Sequence, residues 1–170
     1  ATTWGRTLEQ LGFQVSYLRD EQATRSGILG ALTDLIRSAA PGDVVAFQYS
    51  GHGTQLEDED ADESDRFDEA FVPIDFQAGA FLLDDDLAAV YATLPAGVQL
   101  TLFMDCCHSG TNSRFAPQIR ARTTAAERVR YLPADQELAA AHRAFRASRG
   151  VAHRAADLET SHDGVIHLAA

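Results

Sequence analysis

Cysteine is scarce in this chain: two of 170 residues, Cys106 and Cys107, and the two are adjacent. Neighbouring cysteines do not reach the geometry of an unstrained disulfide, so no disulfide framework holds the fold. That favours a reducing compartment, and the expected location is cytoplasmic. Long hydrophobic runs are missing as well. No stretch approaches the roughly 20 apolar residues that a membrane span needs, and no signal peptide is visible at the start. Basic charge is in short supply: 14 Lys and Arg stand against 25 Asp and Glu, a net charge of -11. Without a basic stripe, a nucleic-acid partner is disfavoured. The Gly-x-Ser-x-Gly elbow of serine hydrolases is absent. Zinc-site spacing is absent too, since Cys106, Cys107 and His108 are consecutive. No internal repeat is visible.

What is present suits a single domain over residues 1–170, expected as a monomer. At 45% hydrophobic residues the composition is ordinary. A chain of this length buries roughly two-thirds of its unfolded surface. The acid is concentrated. Residues 57–69 hold nine acids and one arginine, a charge of -8, which leaves -3 for the rest.

Periodicity supplies the elements. Trp4, Leu8 and Leu11 have helical spacing, with Gly12 as the stop. Residues 13–18 alternate and predict a strand. Thr24 is placed to cap a helix whose apolar face is Ile28, Leu32, Leu35 and Ile36, ended by Pro41-Gly42. Residues 43–49 form a continuous apolar strand of the kind buried in a parallel sheet. An acidic loop runs from Gln55 to Glu69, and Ala70 to Pro73 reads as a short edge strand. After Phe81-Leu82-Leu83, one of Asp84, Asp85 and Asp86 is expected to cap a helix that buries Leu87, Val90, Tyr91 and Leu94. Pro95 to Gly97 is a turn, and residues 98–104 form the next strand. Residues 111–135 read as a mobile, linker-like loop. Residues 136–148 follow as an alanine-rich helix with Gly150 as its stop. His162 to Gly164 is a turn and residues 165–169 a last strand. The order predicts an α/β fold: a mostly parallel sheet with helices on both faces. The first helix has no strand before it and the last strand no helix after it, so flanking segments are expected to be lacking at both ends.

Two of these strands stop in the same manner. One runs into Ser50-Gly51-His52-Gly53, the other into Asp105-Cys106-Cys107-His108-Ser109-Gly110. Open α/β sheets carry their chemistry just beyond the carboxyl ends of the strands. A histidine near a thiol favours the thiolate and can later protonate a leaving amine. The pattern points to a cysteine peptidase with His52 and either Cys106 or Cys107 as its dyad. The backbone N–H groups of Gly53 and Cys107 are candidates for an oxyanion hole. Asp105 is a candidate floor for a pocket that selects a cationic side chain.

The segments Tyr49 to Gln55 and Asp105 to Thr111 resemble the two active-site motifs of the metacaspases, caspase-like cysteine peptidases. Asp65 to Ala70 and Val72 to Asp75 are similar to the same family, and the resemblance extends from about Thr3 to Leu168. The Gln-Ala-Cys signature of animal caspases is absent. The resemblance implies the caspase–haemoglobinase α/β/α fold. It makes Cys107 the nucleophile and leaves Cys106 to packing. It also implies that Ser50 joins Asp105 in binding a P1 Arg or Lys of peptide or protein substrates. It implies calcium activation with Asp68, Asp84 and Asp85 as ligands, and no organic cofactor. Arg114 departs from the pattern, because the family often has a further aspartate there and arginine cannot bind a cation. Arginines in residues 111–135 suit self-processing by such an enzyme. The alternative is a catalytically inert caspase-like or calcium-responsive interaction domain.

Overall fold

The computed structural model describes residues 2–57, 67–106, 131–149 and 165–169. In chain order its helices are α1 (Thr2–Gln10), α2 (Arg25–Ser38), α3 (Asp84–Tyr91) and α4 (Gln136–Arg149). Its strands are β1 (Val44–Ser50), β2 (His52–Glu57), β3 (Phe67–Val72), β4 (Leu82–Leu83), β5 (Gln99–Asp105) and β6 (Val165–Ala169). They form two three-stranded sheets. The first is parallel, in the order β1-β5-β6, and the second is antiparallel, in the order β2-β3-β4.

The parallel sheet follows from the apolar runs read in the sequence. Val45 stands opposite Leu100, Phe47 opposite Leu102 and Tyr49 opposite Met104, and all six face one core. Against that face lies α2. Thr24 caps it by accepting the Gly27 N–H at 3.0 Å. Ile28, Leu32 and Ile36, spaced four apart, are its buried stripe. Leu35 was expected on that stripe, but it is 37% exposed, one step round the helix. From α3, Leu87 and Tyr91 enter the same core. The alternate positions of β5 face the other way. There Phe103 meets Trp4 of α1, with ring centroids 4.5 Å apart. Helices thus lie on both faces of the parallel sheet, α2 and α3 on one and α1 at Trp4 on the other.

The antiparallel sheet is two-faced as well. Phe71 and Leu82 join the main core. Leu56, Ala70 and Leu83 form a second cluster with Phe81, against which Leu132 and Leu138 pack. The residues expected as an acidic loop therefore enter and leave it as strands: Gln55 to Glu57 belong to β2 and Phe67 to Glu69 to β3. Residues 70–73, expected at an edge, lie in and just past the central strand of this sheet. Its pairing partners on both sides come from short segments whose periodicity is weak.

Two further expectations change. Residues 13–18 show alternating burial but belong to neither sheet. Alternation specifies a face, whereas a ladder also needs a neighbouring strand to pair with. The N-cap of α3 is Leu83, and the three aspartates occupy the first turn. Asp86 accepts the Leu83 N–H at 3.1 Å from inside the helix. All three carboxylates sit where the helix dipole favours negative charge. The expected stop at Gly150, the turn at 162–164 and most of the linker-like loop fall outside the described residues. Among the described residues no helix is long and apolar enough to cross a membrane.

Candidate active site

The register of β1 on β5 decides what the sheet presents at its carboxyl end. Ser50 stands directly opposite Asp105, each the last residue of its strand. Both are half-buried, and the Ser50 hydroxyl donates to Asp105 Oδ2 at 3.1 Å. Gln48, two positions back on the same face, donates through Nε2 to Ser50 Oγ at 2.6 Å. The two residues assigned to a basic pocket are therefore in contact. His52 follows Ser50 by two residues, and Cys107 follows Asp105 by two. Cys107 itself lies outside the described residues. Cys106 is 6% exposed and packs into the main core, in line with Leu100, Leu102 and Met104.

His52 is exposed and opens β2 opposite Val72, so the chain turns from the parallel sheet into the antiparallel one at Gly51. That turn is held by Tyr49. Its hydroxyl lies 3.0 Å from the His52 carbonyl oxygen and 3.2 Å from that of Val72, a donor shared between two acceptors. The ring packs edge-on against Phe71 at 4.7 Å. Burial above all, with the neighbouring Cys106 adding to it, pushes the phenol well above its ordinary range, although the hydrogen bond to Val72 acts the other way. Tyr49 therefore stays a neutral donor. A Cβ on Gly51 would overlap the Tyr49 hydroxyl, so glycine is needed for this close approach. Gly53 is buried. It pairs with Phe71 on one side and in parallel with Tyr131 on the other, where its carbonyl accepts the Leu132 N–H at 2.9 Å. The last residues of the segment read as a mobile loop are thereby tied beside His52.

The proposed calcium ligands divide. Asp68 lies on β3, 8% exposed, two residues before Ala70, which pairs with Leu83. Asp84 and Asp85 follow Leu83 directly, so the ladder points Asp68 toward the start of α3. Asp86 is committed elsewhere: Oδ2 takes the Leu83 N–H and Oδ1 takes Arg25 Nη2 at 2.6 Å. Among the described residues no three His, Cys, Asp or Glu side chains are grouped to hold a metal ion. The described carboxylates do not by themselves make the shell of oxygens that calcium takes.

Sequence reasoning missed three residues. Gln48 was read as part of an apolar run, although a polar side chain in a strand of that type is itself a signal. Tyr49 was read only as part of a motif. Arg25 was not singled out, yet it ties α2 to α3. Its N–H donates to Asp75 Oδ1 and its Nε to the Phe81 carbonyl, both at 2.9 Å, beside the ion pair with Asp86.

Comparison with known proteins bears on these motifs. The family model for the metacaspase, peptidase C14 domain matches residues 9–114. Metacaspase-1 of Pyricularia oryzae is 47% identical over 91 residues, which cover 53% of this chain and 23% of that protein. Metacaspase-2 of Trypanosoma brucei brucei is 42% identical over 94 residues, covering 55% of this chain and 27% of that protein. The matched region thus spans only about a quarter of these relatives. A crystal structure of a protein from Geobacter sulfurreducens superposes with a TM-score of 0.74 at 27% identity, over 99% of this chain and 60% of that one. The strand-end motifs, the parallel sheet with helices on its two faces and these matches lead to one assignment: the chain belongs to the metacaspase family, with its caspase-like α/β fold.

Proposed function

We propose that the protein is a cysteine endopeptidase that cleaves after Arg or Lys. The observation that carries this reading is the Ser50–Asp105 pair at the ends of adjacent parallel strands, two residues ahead of His52 and Cys107. A half-buried carboxylate backed by a hydroxyl suits a guanidinium or ammonium group. On this reading the Cys107 thiolate attacks the scissile carbonyl. His52 takes the thiol proton and returns it to the leaving amine, so the peptide C–N bond breaks and an acyl-enzyme remains. The N–H groups of Gly53 and Cys107 bind the oxyanion, and water then hydrolyses the thioester.

Matched fluorogenic peptides with Arg, Lys and Asp at P1 test the proposal. Cleavage of the first two is expected, with a loss of about a thousandfold or more in Cys107→Ala and in His52→Ala. Cleavage after Asp in preference to Arg overturns the basic-pocket reading. Failure of an arginyl ketone to label Cys107 favours the inert-domain alternative.

Calcium activation, with Asp68, Asp84 and Asp85 as ligands, is a separate proposal. Its test is loss of cleavage in chelator and recovery with calcium but not magnesium. Activity that chelator leaves unchanged refutes it. Self-processing within 111–135 would follow Arg114, Arg120, Arg122, Arg128 or Arg130. Mass spectrometry of the wild type beside Cys107→Ala checks this, since a cut that persists in the variant is not the protein's own. A cytoplasmic monomer acting on peptides or proteins completes the proposal.

A further inference from the structure

Within the apolar run of strand β1, ahead of its terminal Ser50, stands an amide side chain that such a run does not call for, Gln48. It is half-buried, and its Nε2 lies 2.6 Å from Ser50 Oγ. Side chains two apart on a strand share a face, and Ser50 stands opposite Asp105. Gln48, Ser50 and Asp105 therefore form one continuous polar row. Behind it, Phe103 stands opposite Gln48 in the ladder and meets Trp4.

The proton inventory fixes the direction of the row. A carboxylate only accepts, so the single Ser50 proton goes to Asp105. The serine oxygen is then the acceptor for its other neighbour, and Gln48 must present its amide N–H. That orientation leaves Gln48 Oε1 as an acceptor on the same face as the carboxylate.

We propose that Gln48 is a specificity-determining residue that makes this site take arginine over lysine. It holds the Ser50 hydroxyl on Asp105 and extends the acceptors of the row beyond the carboxylate. A guanidinium spreads five N–H donors over a planar fork, whereas an ammonium is a compact head that one carboxylate and water satisfy. A row of separated acceptors rewards the fork. The inference rests on Ser50 and Asp105 binding a basic side chain.

The test compares kcat/KM for paired P1-Arg and P1-Lys peptides in the full chain and in Gln48→Met, which preserves shape and removes both polar atoms. The wild type is expected to prefer Arg by about tenfold, the worth of one hydrogen bond to a charged group. In Gln48→Met the Arg value falls by about that factor, mostly through KM, while the Lys value stays within about twofold. Competitive inhibition by agmatine should weaken in parallel, and inhibition by n-pentylamine should not. Gln48→Asn keeps an amide but shortens its reach. It gives the same loss, and serves if the methionine variant does not fold. An Arg-to-Lys ratio that a folded variant leaves unmoved overturns the role of Gln48 alone. A wild type that takes neither peptide refutes the basic-site reading and this inference with it.

Discussion

One phenol oxygen holds the turn that presents His52. Tyr49→Phe removes it without changing the packing against Phe71, and leaves two backbone carbonyls short of a donor. The expected cost is about 1 kcal/mol of stability, the net worth of an ordinary hydrogen bond, read as a lower urea midpoint. On the proposed peptidase reading, kcat for a P1-Arg peptide should fall by about tenfold with KM little changed, because a loosened turn misplaces the base rather than the pocket. Gly51→Ala should do more harm, since its methyl group meets the same hydroxyl. A Tyr49→Phe variant with wild-type kcat would remove the tyrosine from any positioning role. At this scale His52 and Asp105 were singled out because each sits where an apolar run ends, and Ser50 through the family resemblance alone. It did not disclose Tyr49 or Gln48. Their partners are a turn carbonyl and a side chain two residues on, and such bonds exist only once the strand and turn have their shapes.

The elements divide along similar lines. β1 and β5 were legible to within one residue, since an apolar run in a parallel strand needs no partner to be recognised. α2 was legible from its cap and its four-residue stripe. β2 and β4 were not, and β3 only in its second half, because acidic residues dominate the surrounding sequence and the pairing that defines them is tertiary. How α4 seats was also invisible. It rests on the turn at Gly79, whose carbonyl lies 2.8 Å from His142 Nδ1, while Phe81 meets the His142 ring edge-on at 5.6 Å. Gly79 has φ of 80°, and a Cβ there would overlap the Ala141 carbonyl of α4. Gly79→Ala is therefore expected to cost about 1–3 kcal/mol from backbone strain alone. Hydrogen exchange should localise the loss to α4 and the Leu56–Phe81 cluster. Unchanged protection in α4 would show that the turn does not seat it. α4 closes the second core beneath the antiparallel sheet, and Leu132, four residues ahead of it, is bonded to Gly53. On the proposed peptidase reading, loosening α4 is thus expected to lower activity as well.

Across the whole molecule, all 14 cationic side chains are arginine, which keeps its charge in alkaline solution. Tyrosine and cysteine are then the side chains left to lose protons as pH rises. Tyr91 is buried in the main core and Tyr49 is half-buried against it. Burial pushes the phenols of Tyr49 and Tyr91 well above the ordinary value of 10.0. The sign follows from linkage. Above pH 10 the unfolded chain releases protons that the folded chain retains, so it binds fewer, and stability falls as pH rises. The contribution is fully present below pH 10 and is lost progressively above it. Each such group sets a slope of about 1.4 kcal/mol per pH unit, so the pair together gives about 2.7. Urea midpoints measured in steps from pH 9 to 12 should be flat from this source at first and then decline. Tyr49→Phe should lessen the slope above pH 10 while lowering the plateau below it. A decline as steep in that variant as in the wild type would mean that the folded chain does not hold the Tyr49 proton, and that the clamp on the His52 turn is weaker than its geometry requires.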